Sequence, residues 1–279
     1  MQSKKANFTH KRITTALLLA AGTGSRLLPL TKKLPKCLTM VNETSILERL
    51  INSLNQHGFK RLVVVTGHLE DCIRNYLETR AGNVKIEYIF SPLYKTTNNI
   101  YSLWMARKVI NEPFLLVESD LIFDPSLLGD MLYPDRIAIA QMQPWLNGST
   151  VTIDPSNRVD AFHFSPKGKN RDRYKTVNIY SLSLASWHRV IQELDQYILA
   201  GRVNDYYEAV FQQMVAEDKL SFQAVFFDHK PWYEIDTIED LALAEMMFPS
   251  KIRDTFPIFD IPTDQFEKTA VKGRVHARS

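Results

Sequence analysis

Gly22, Gly24, Arg26 and Lys36 lie close together in ALLLAAGTGSRLLPLTKKLPKCLTMVN, Ala16 to Asn42, and their types suit gripping a polyphosphate. Glycine tolerates positive φ and has no side chain, so successive backbone N–H groups can turn toward an anion. Arg26 can fork onto phosphate oxygens, and Pro35 fixes the backbone ahead of the point charge of Lys36. The Rossmann fingerprint is excluded because Leu27 stands where its third glycine belongs, and no Gly-Lys-Ser/Thr of the Walker type is present here. Two carboxylates are candidates for a hard cation. Asp120 ends an apolar strand, and Asp236 in YEIDT precedes a helical pattern. From the residues alone each reads as a metal ligand or, more readily, as a helix N-cap, and the cap reading is stronger for Asp236.

The elements that must hold these residues alternate. Leu17, Leu18 and Leu19 form a continuous apolar run, as in a strand covered on both faces. Ile46, Leu47, Leu50, Ile51 and Leu54 recur at helical spacing up to His57-Gly58. Strands are predicted over 62–66, 84–90 and 114–117, with helices over 71–77 and from Ile100 onward. This order implies right-handed crossovers in a parallel sheet, whose ligands sit beyond the carboxyl ends of the strands. Gly22, Gly67 and Asp120 all fall there. Residues 136–142, 149–154, 158–164 and 176–184 alternate more, favouring mixed or antiparallel strands, and 165–173 is a charged loop. Helices over 186–200 and 204–216, a strand over 222–227 and an extended entry into a helix over 232–247 complete the pattern.

Of 279 residues, 34 are basic and 31 acidic, a net charge of +3. The excess belongs to the ends: Lys4, Lys5, Lys11 and Arg12 at one, and Lys268, Lys272, Arg274 and Arg278 against Glu267 at the other. Without them the remainder holds 26 basic and 30 acidic residues, which argues against a nucleic-acid surface on the body. No apolar run reaches membrane-spanning length and the N-terminus lacks a secretory h-region, so the cytoplasm is expected. Cys37 and Cys72 read as reduced and packed, although a cation beside Cys37 would favour its thiolate. The histidines have no zinc spacing, and no G-x-S-x-G element supports a nucleophilic serine.

G-T-G-S-R followed by P-K resembles the nucleotidyltransferase family that includes sugar-phosphate and phosphocholine nucleotidyltransferases. The resemblance covers about residues 13–248, as an NTP-binding half near 13–125 and an acceptor-binding half near 126–248, between extensions at 1–12 and 249–279. It implies an α/β, Rossmann-like, mostly parallel mixed sheet with flanking helices. It also implies Mg2+ on Asp120 and Asp236, and a Lys36 that contacts the α-phosphate with Arg26 beside it. Leu19, Ala20, Ala21, Gly22, Thr23, Gly24, Ser25, Gly67, His68, Thr97, Asn98 and Ser102 are then the expected nucleotide-binding positions.

TTNNIYSLW, Thr96 to Trp104, looks like the CTP:phosphocholine and CTP:2-aminoethylphosphonate cytidylyltransferases. That implies transfer of CMP from CTP to a small phosphorylated or phosphonylated amine, and LNGSTVTID and YKTVNIYSLS lean toward the phosphonate. Acceptor contacts are expected from Asn99, Trp145, Lys175, Asn178, Asp205, Tyr207 and Glu234, with Tyr206, Glu208 and Trp232 as further aromatic or acidic candidates. Lys175 would take the acidic end of the acceptor. No nucleic-acid partner and no stable membrane insertion are expected, and the sequence leaves the oligomeric state open. A sugar-1-phosphate nucleotidylyltransferase and a non-catalytic nucleotide-binding protein are the alternatives.

Overall fold

In the computed structural model, which describes residues 12–164 and 173–249, Thr15–Ala20 forms β1 with every residue buried. After the glycine turn come three short 3-10 turns and a hairpin of β2 (Met40–Val41) and β3 (Thr44–Ser45). Helix α1 (Ile46–Gln56) starts at Ser45, whose side chain accepts a hydrogen bond from the Glu48 N–H. There follow β4 (Arg61–Thr66), α2 (Glu70–Glu78), β5 (Lys85–Phe90), α3 (Asn99–Ala106) and β6 (Phe114–Glu118). β1 lies between β4 and β6, parallel to both, and β5 extends the sheet beyond β4.

Side chains of β1 alternate between two cores. Ala16, Leu18 and Ala20 pack with Leu47, Leu50 and Leu54 of α1, while Leu17 and Leu19 pack with Ile100 and Leu103 of α3. A leucine wholly withdrawn from water contributes about 1.5–3 kcal/mol. That two-sided burial is why β1, β4 and β6 are apolar at consecutive positions. Cys37 is in the α1-side core, where burial pushes its thiol up to about 12, and this removes the redox option.

The second half begins with β7 (Leu121–Phe123) and a 3-10 turn, then β8 (Arg136–Gln141), β9 (Thr150–Ile153), β10 (Val159–His163) and β11 (Tyr174–Leu182). β11 is antiparallel to β6 through Ile179–Leu182, and through Tyr174 and Lys175 it also pairs with β9. Its register against β8 shifts between Thr176 and Tyr180, and Asn178 has φ +59°. This bulge re-aims the side chains of its neighbourhood. Helices α4 (Leu184–Leu199) and α5 (Tyr207–Ala216) pack on the α3 side, β12 (Gln223–Phe226) runs parallel to β8, and β13 (Trp232–Glu234) pairs antiparallel with β7 before α6 (Ile238–Met247).

The result is the expected mostly parallel centre with a mixed flank. Three differences are local. The helix expected from residue 204 starts at Tyr207, the extended entry near 232 is a paired strand, and β2, β3 and β7 are too short to carry a periodicity. The charged loop over 165–172 and the extensions 1–11 and 250–279 lie outside the described residues. Among the described residues no helix is long and apolar enough to cross a membrane.

Candidate active site

The glycine turn sits where β1 ends. Gly24 has φ +63°, and a Cβ there would fall 2.9 Å from Thr31 Cγ2, so a side chain is refused on both grounds. The Thr31 hydroxyl donates to the Gly24 carbonyl at 2.7 Å, fixing the turn from below. Pro35, extended at φ −66° and ψ 152°, hands the chain to a 3-10 turn that begins with Lys36. Lys36 Nζ lies 2.8 Å from Asp120 Oδ2 and 2.5 Å from Asp236 Oδ1, and Arg26 Nη1 lies 2.8 Å from Asp236 Oδ2. Burial pulls the Lys36 ammonium toward neutrality, but the two carboxylates outweigh it and hold its pKa above the ordinary value.

Two backbone devices bring the aspartates together. Asp120 follows β6, and its carbonyl accepts from the Ile235 N–H at 2.9 Å. The pairing of β7 with β13 sets Glu234 opposite Leu121, which carries Asp236 to the same place. Neither aspartate caps a helix. Asp124 caps the 3-10 turn over Pro125–Met131, and Thr237 caps α6 in a capping box with Asp240. Asp120 Oδ1 is buried with no hydrogen-bond partner among the described residues. No three metal-ligating side chains gather among the described residues. A pair of carboxylates with an orphaned oxygen nonetheless fits Mg2+, which takes one or two carboxylates and completes its shell with substrate phosphates and water.

From this clamp a cleft of about 490 Å3 runs toward β11 and α5. Asn178, turned by the bulge, donates from Nδ2 to Glu234 Oε1 at 3.1 Å, and Lys175 Nζ meets Glu234 Oε2 at 3.2 Å. Asn99 joins the two walls, donating to Glu118 Oε1 at 3.1 Å while its Oδ1 accepts from the Tyr207 N–H at 3.1 Å. Burial raises the Glu118 and Glu234 carboxyls above their ordinary value, reinforced at both by the charge of Asp120, and Lys175 opposes the shift at Glu234. Burial likewise pushes Glu208 up to about 7.

The folded chain therefore holds the Glu208 proton more tightly than the unfolded chain does. Stability associated with this group falls as pH rises from about 4.5 through 7, by on the order of 3 kcal/mol. Glu208→Gln is expected to match wild type near pH 5 and to exceed it by about 1–3 kcal/mol at pH 8, read as the midpoint of urea unfolding. Equal pH profiles for the two proteins would show that the carboxyl is not held protonated.

Of the positions expected from sequence, Leu19, Ala21, Gly22, Gly24, Ser25, Arg26, Lys36, Thr97, Asn98, Asn99, Ser102, Asp120, Lys175, Asn178, Glu234 and Asp236 line this cleft. Seven do not. Ala20 points into the α1-side core and Thr23 is exposed away from the cleft. Gly67 serves packing, since a Cβ there would lie 2.7 Å from the Ala21 carbonyl oxygen. His68 braces the turn from behind, its N–H donating to that same oxygen at 3.0 Å. Trp145 is 63% exposed and faces a separate depression with Trp232. Asp205 is drawn off by Arg202 at 2.6 Å, and the Tyr207 ring is buried edge-on to Tyr180. Lys175 lies in the cleft, but its ammonium is engaged by Glu234 and by the Thr176 carbonyl at 2.7 Å rather than held free for an anion. Tyr94, Glu118, Ser119, Asn147, Gly148, Ser149, Phe164, Tyr206 and Glu208 complete the lining. Glu118 could have been found, because the period of two along ESD gives it the face of Asp120.

A mixed sheet whose parallel half ends in a glycine turn and a polar cleft is an α/β architecture with its ligand site at the carboxyl ends of the strands. Residues 15–250 match the Nucleotidyl transferase family, and the chain belongs to it. It is an enzyme of that family. The chain is 30% identical over 244 residues to the CMP-5'-(3-aminopropyl)phosphonate synthase of Streptomyces rubellomurinus, covering 84% of this chain but only 38% of that relative's length. It is 28% identical to the 2-aminoethylphosphonate cytidylyltransferase of Lancefieldella rimae, covering 82% of this chain and 91% of the relative. The solved CTP:phosphocholine cytidylyltransferase of Streptococcus pneumoniae superposes with a TM-score of 0.72 at 20% identity, over 85% of this chain and 99% of that one.

Proposed function

We propose that the chain transfers CMP from CTP to a small phosphorylated or phosphonylated amine, with 2-aminoethylphosphonate favoured, and releases pyrophosphate. The observation that carries this is the division of one cleft into a phosphate-facing end, where Lys36 and Arg26 pair with Asp120 and Asp236 beside the glycine turn, and an end rich in glutamate. Lys36 and Arg26 stand by the glycine turn, and three buried or half-buried glutamates stand opposite. Relatives named for aminopropylphosphonate, choline phosphate and aminoethylphosphonate share an acceptor with a phosphorus acid at one end and a cationic nitrogen at the other.

In this reading the turn N–H groups and Arg26 hold the triphosphate. A phosphonate oxygen attacks the α-phosphorus while its bond to pyrophosphate breaks, and Lys36 Nζ neutralises the charge that develops there. The acceptor dianion is its own nucleophile, so no general base is needed. Asp120 and Asp236 would hold Mg2+, which supplies further neutralisation of the phosphates when bound. A hexose-1-phosphate acceptor is the other reading on this scaffold, but its neutral ring gives the glutamates no charge partner. A pyrophosphate-release screen decides between them, crossing four NTPs with 2-aminoethylphosphonate, phosphocholine and hexose 1-phosphates. Turnover is expected with CTP and an amine-bearing acceptor, and turnover with a hexose phosphate alone would end this reading.

A further inference from the structure

At the far end of the cleft, Glu208 is only 5% exposed, lines the cavity, and leaves its Oε2 without a hydrogen-bond partner among the described residues. Among the described residues that line this end of the cleft, Glu118, Glu208 and Glu234 bring three carboxyls, and Lys175, 2% exposed and paired to Glu234, brings an ammonium. A buried carboxylate with no partner is costly, and a cation that also donates hydrogen bonds relieves both deficits at once.

We propose that Glu208 receives the ammonium group of the acceptor, and that this pocket takes an amine bearing N–H bonds in preference to a quaternary ammonium. The inference rests on the acceptor class proposed above. A quaternary ammonium has no hydrogen to give to Oε2, and its methyl groups hold its charge away from the oxygen. Such ions are usually enclosed by aromatic faces. Three aromatic residues among those described line this cleft: Tyr94, which lies at the nucleotide end against Gly67 and His68, and Phe164 and Tyr206, which are 43% and 60% exposed, while the Tyr207 ring is packed on Phe211.

Phosphoethanolamine and phosphocholine differ only in three N-methyl groups, so steady-state kinetics with saturating CTP isolates the point. Wild type is expected to show a kcat/KM about tenfold or more higher for phosphoethanolamine. Glu208→Gln is expected to lower kcat/KM for 2-aminoethylphosphonate by about 10–100-fold, while ethylphosphonate, which lacks the amine, and the KM for CTP change by less than about threefold. Glu208→Asp, with the carboxylate one methylene short, is expected to fall between, and it carries the test if the glutamine variant does not fold.

A wild-type preference for phosphocholine, or an equal penalty on ethylphosphonate, would overturn the assignment. If wild type turns over no acceptor with CTP, the proposed function fails first, and calorimetric titration with 2-aminoethylphosphonate judges the pocket separately. Binding to wild type that weakens in Glu208→Gln supports the assignment. No binding, or equal binding, overturns it.

Discussion

Lys36→Met is expected to lower kcat for nucleotidyl transfer by about 10²–10³-fold with a much smaller change in the KM for nucleotide. The clamp geometry is the reason. Nζ is set by two carboxylates at 2.8 and 2.5 Å and stands beside the glycine turn, as a compact charge reaching from a 3-10 turn fixed by Pro35. A charge placed in advance need not be reorganised as the transition state forms, which is where such groups act most strongly. Arginine does not restore it, because a planar fork cannot occupy a point site between Asp120 and Asp236. Arg26 still pairs with Asp236 in the variant but Asp120 loses its Lys36 partner, so thermal melting is measured alongside and kcat is compared only where the variant is folded. A kcat within threefold of wild type would remove Lys36 from the chemistry.

Lys175→Met is expected to destabilise the fold by about 3–5 kcal/mol at pH 8, read from urea unfolding. The ammonium is almost wholly enclosed and is the cation that opposes the raised carboxyls of Glu208 and Glu234. Without it those groups rise further and take up protons as pH falls. The folded variant then binds more protons than the unfolded chain, so the deficit shrinks toward pH 5 and grows above pH 7. A loss below about 1 kcal/mol, or one independent of pH, would mean that Lys175 is not the counter-charge of this end of the cleft.

Most residues expected at the nucleotide end line the cleft, because their positions are local to strands whose apolar runs are unmistakable. β1 and β6 announce themselves, and a turn or an aspartate at the end of such a run has a known place relative to the sheet. The acceptor end depended on phase. Asp205 and Tyr207 were the expected pair, yet Tyr206 and Glu208 face the cleft. The parity is set by the Arg202–Asp205 ion pair and by Asn99 accepting from the Tyr207 N–H, a contact across 108 positions that no local pattern encodes. The bulge at Asn178 is similar. A strand pattern assumes strict alternation, and only the shared pairing of β11 with β6, β8 and β9 requires the shift that turns Asn178 toward Glu234. Trp145 lies outside the cleft for a different reason, since aromatic character says nothing about which of two depressions a loop will face.

The bond from Lys36 to Asp236 joins residues 200 positions apart, and this has a consequence for biosynthesis. At about 5–20 residues per second, a ribosome needs roughly 10–40 s to travel from one to the other. During that interval β1 and β4 to β6 emerge and can pair, so the glycine turn and the first carboxylate exist on a nascent chain without the second. The clamp closes only after β13 has left the exit tunnel and zipped onto β7. A chain released between Asp120 and Asp236 carries Lys36 and Asp120 but not the partner that sets their spacing, so the clamp is confined to chains translated beyond Asp236.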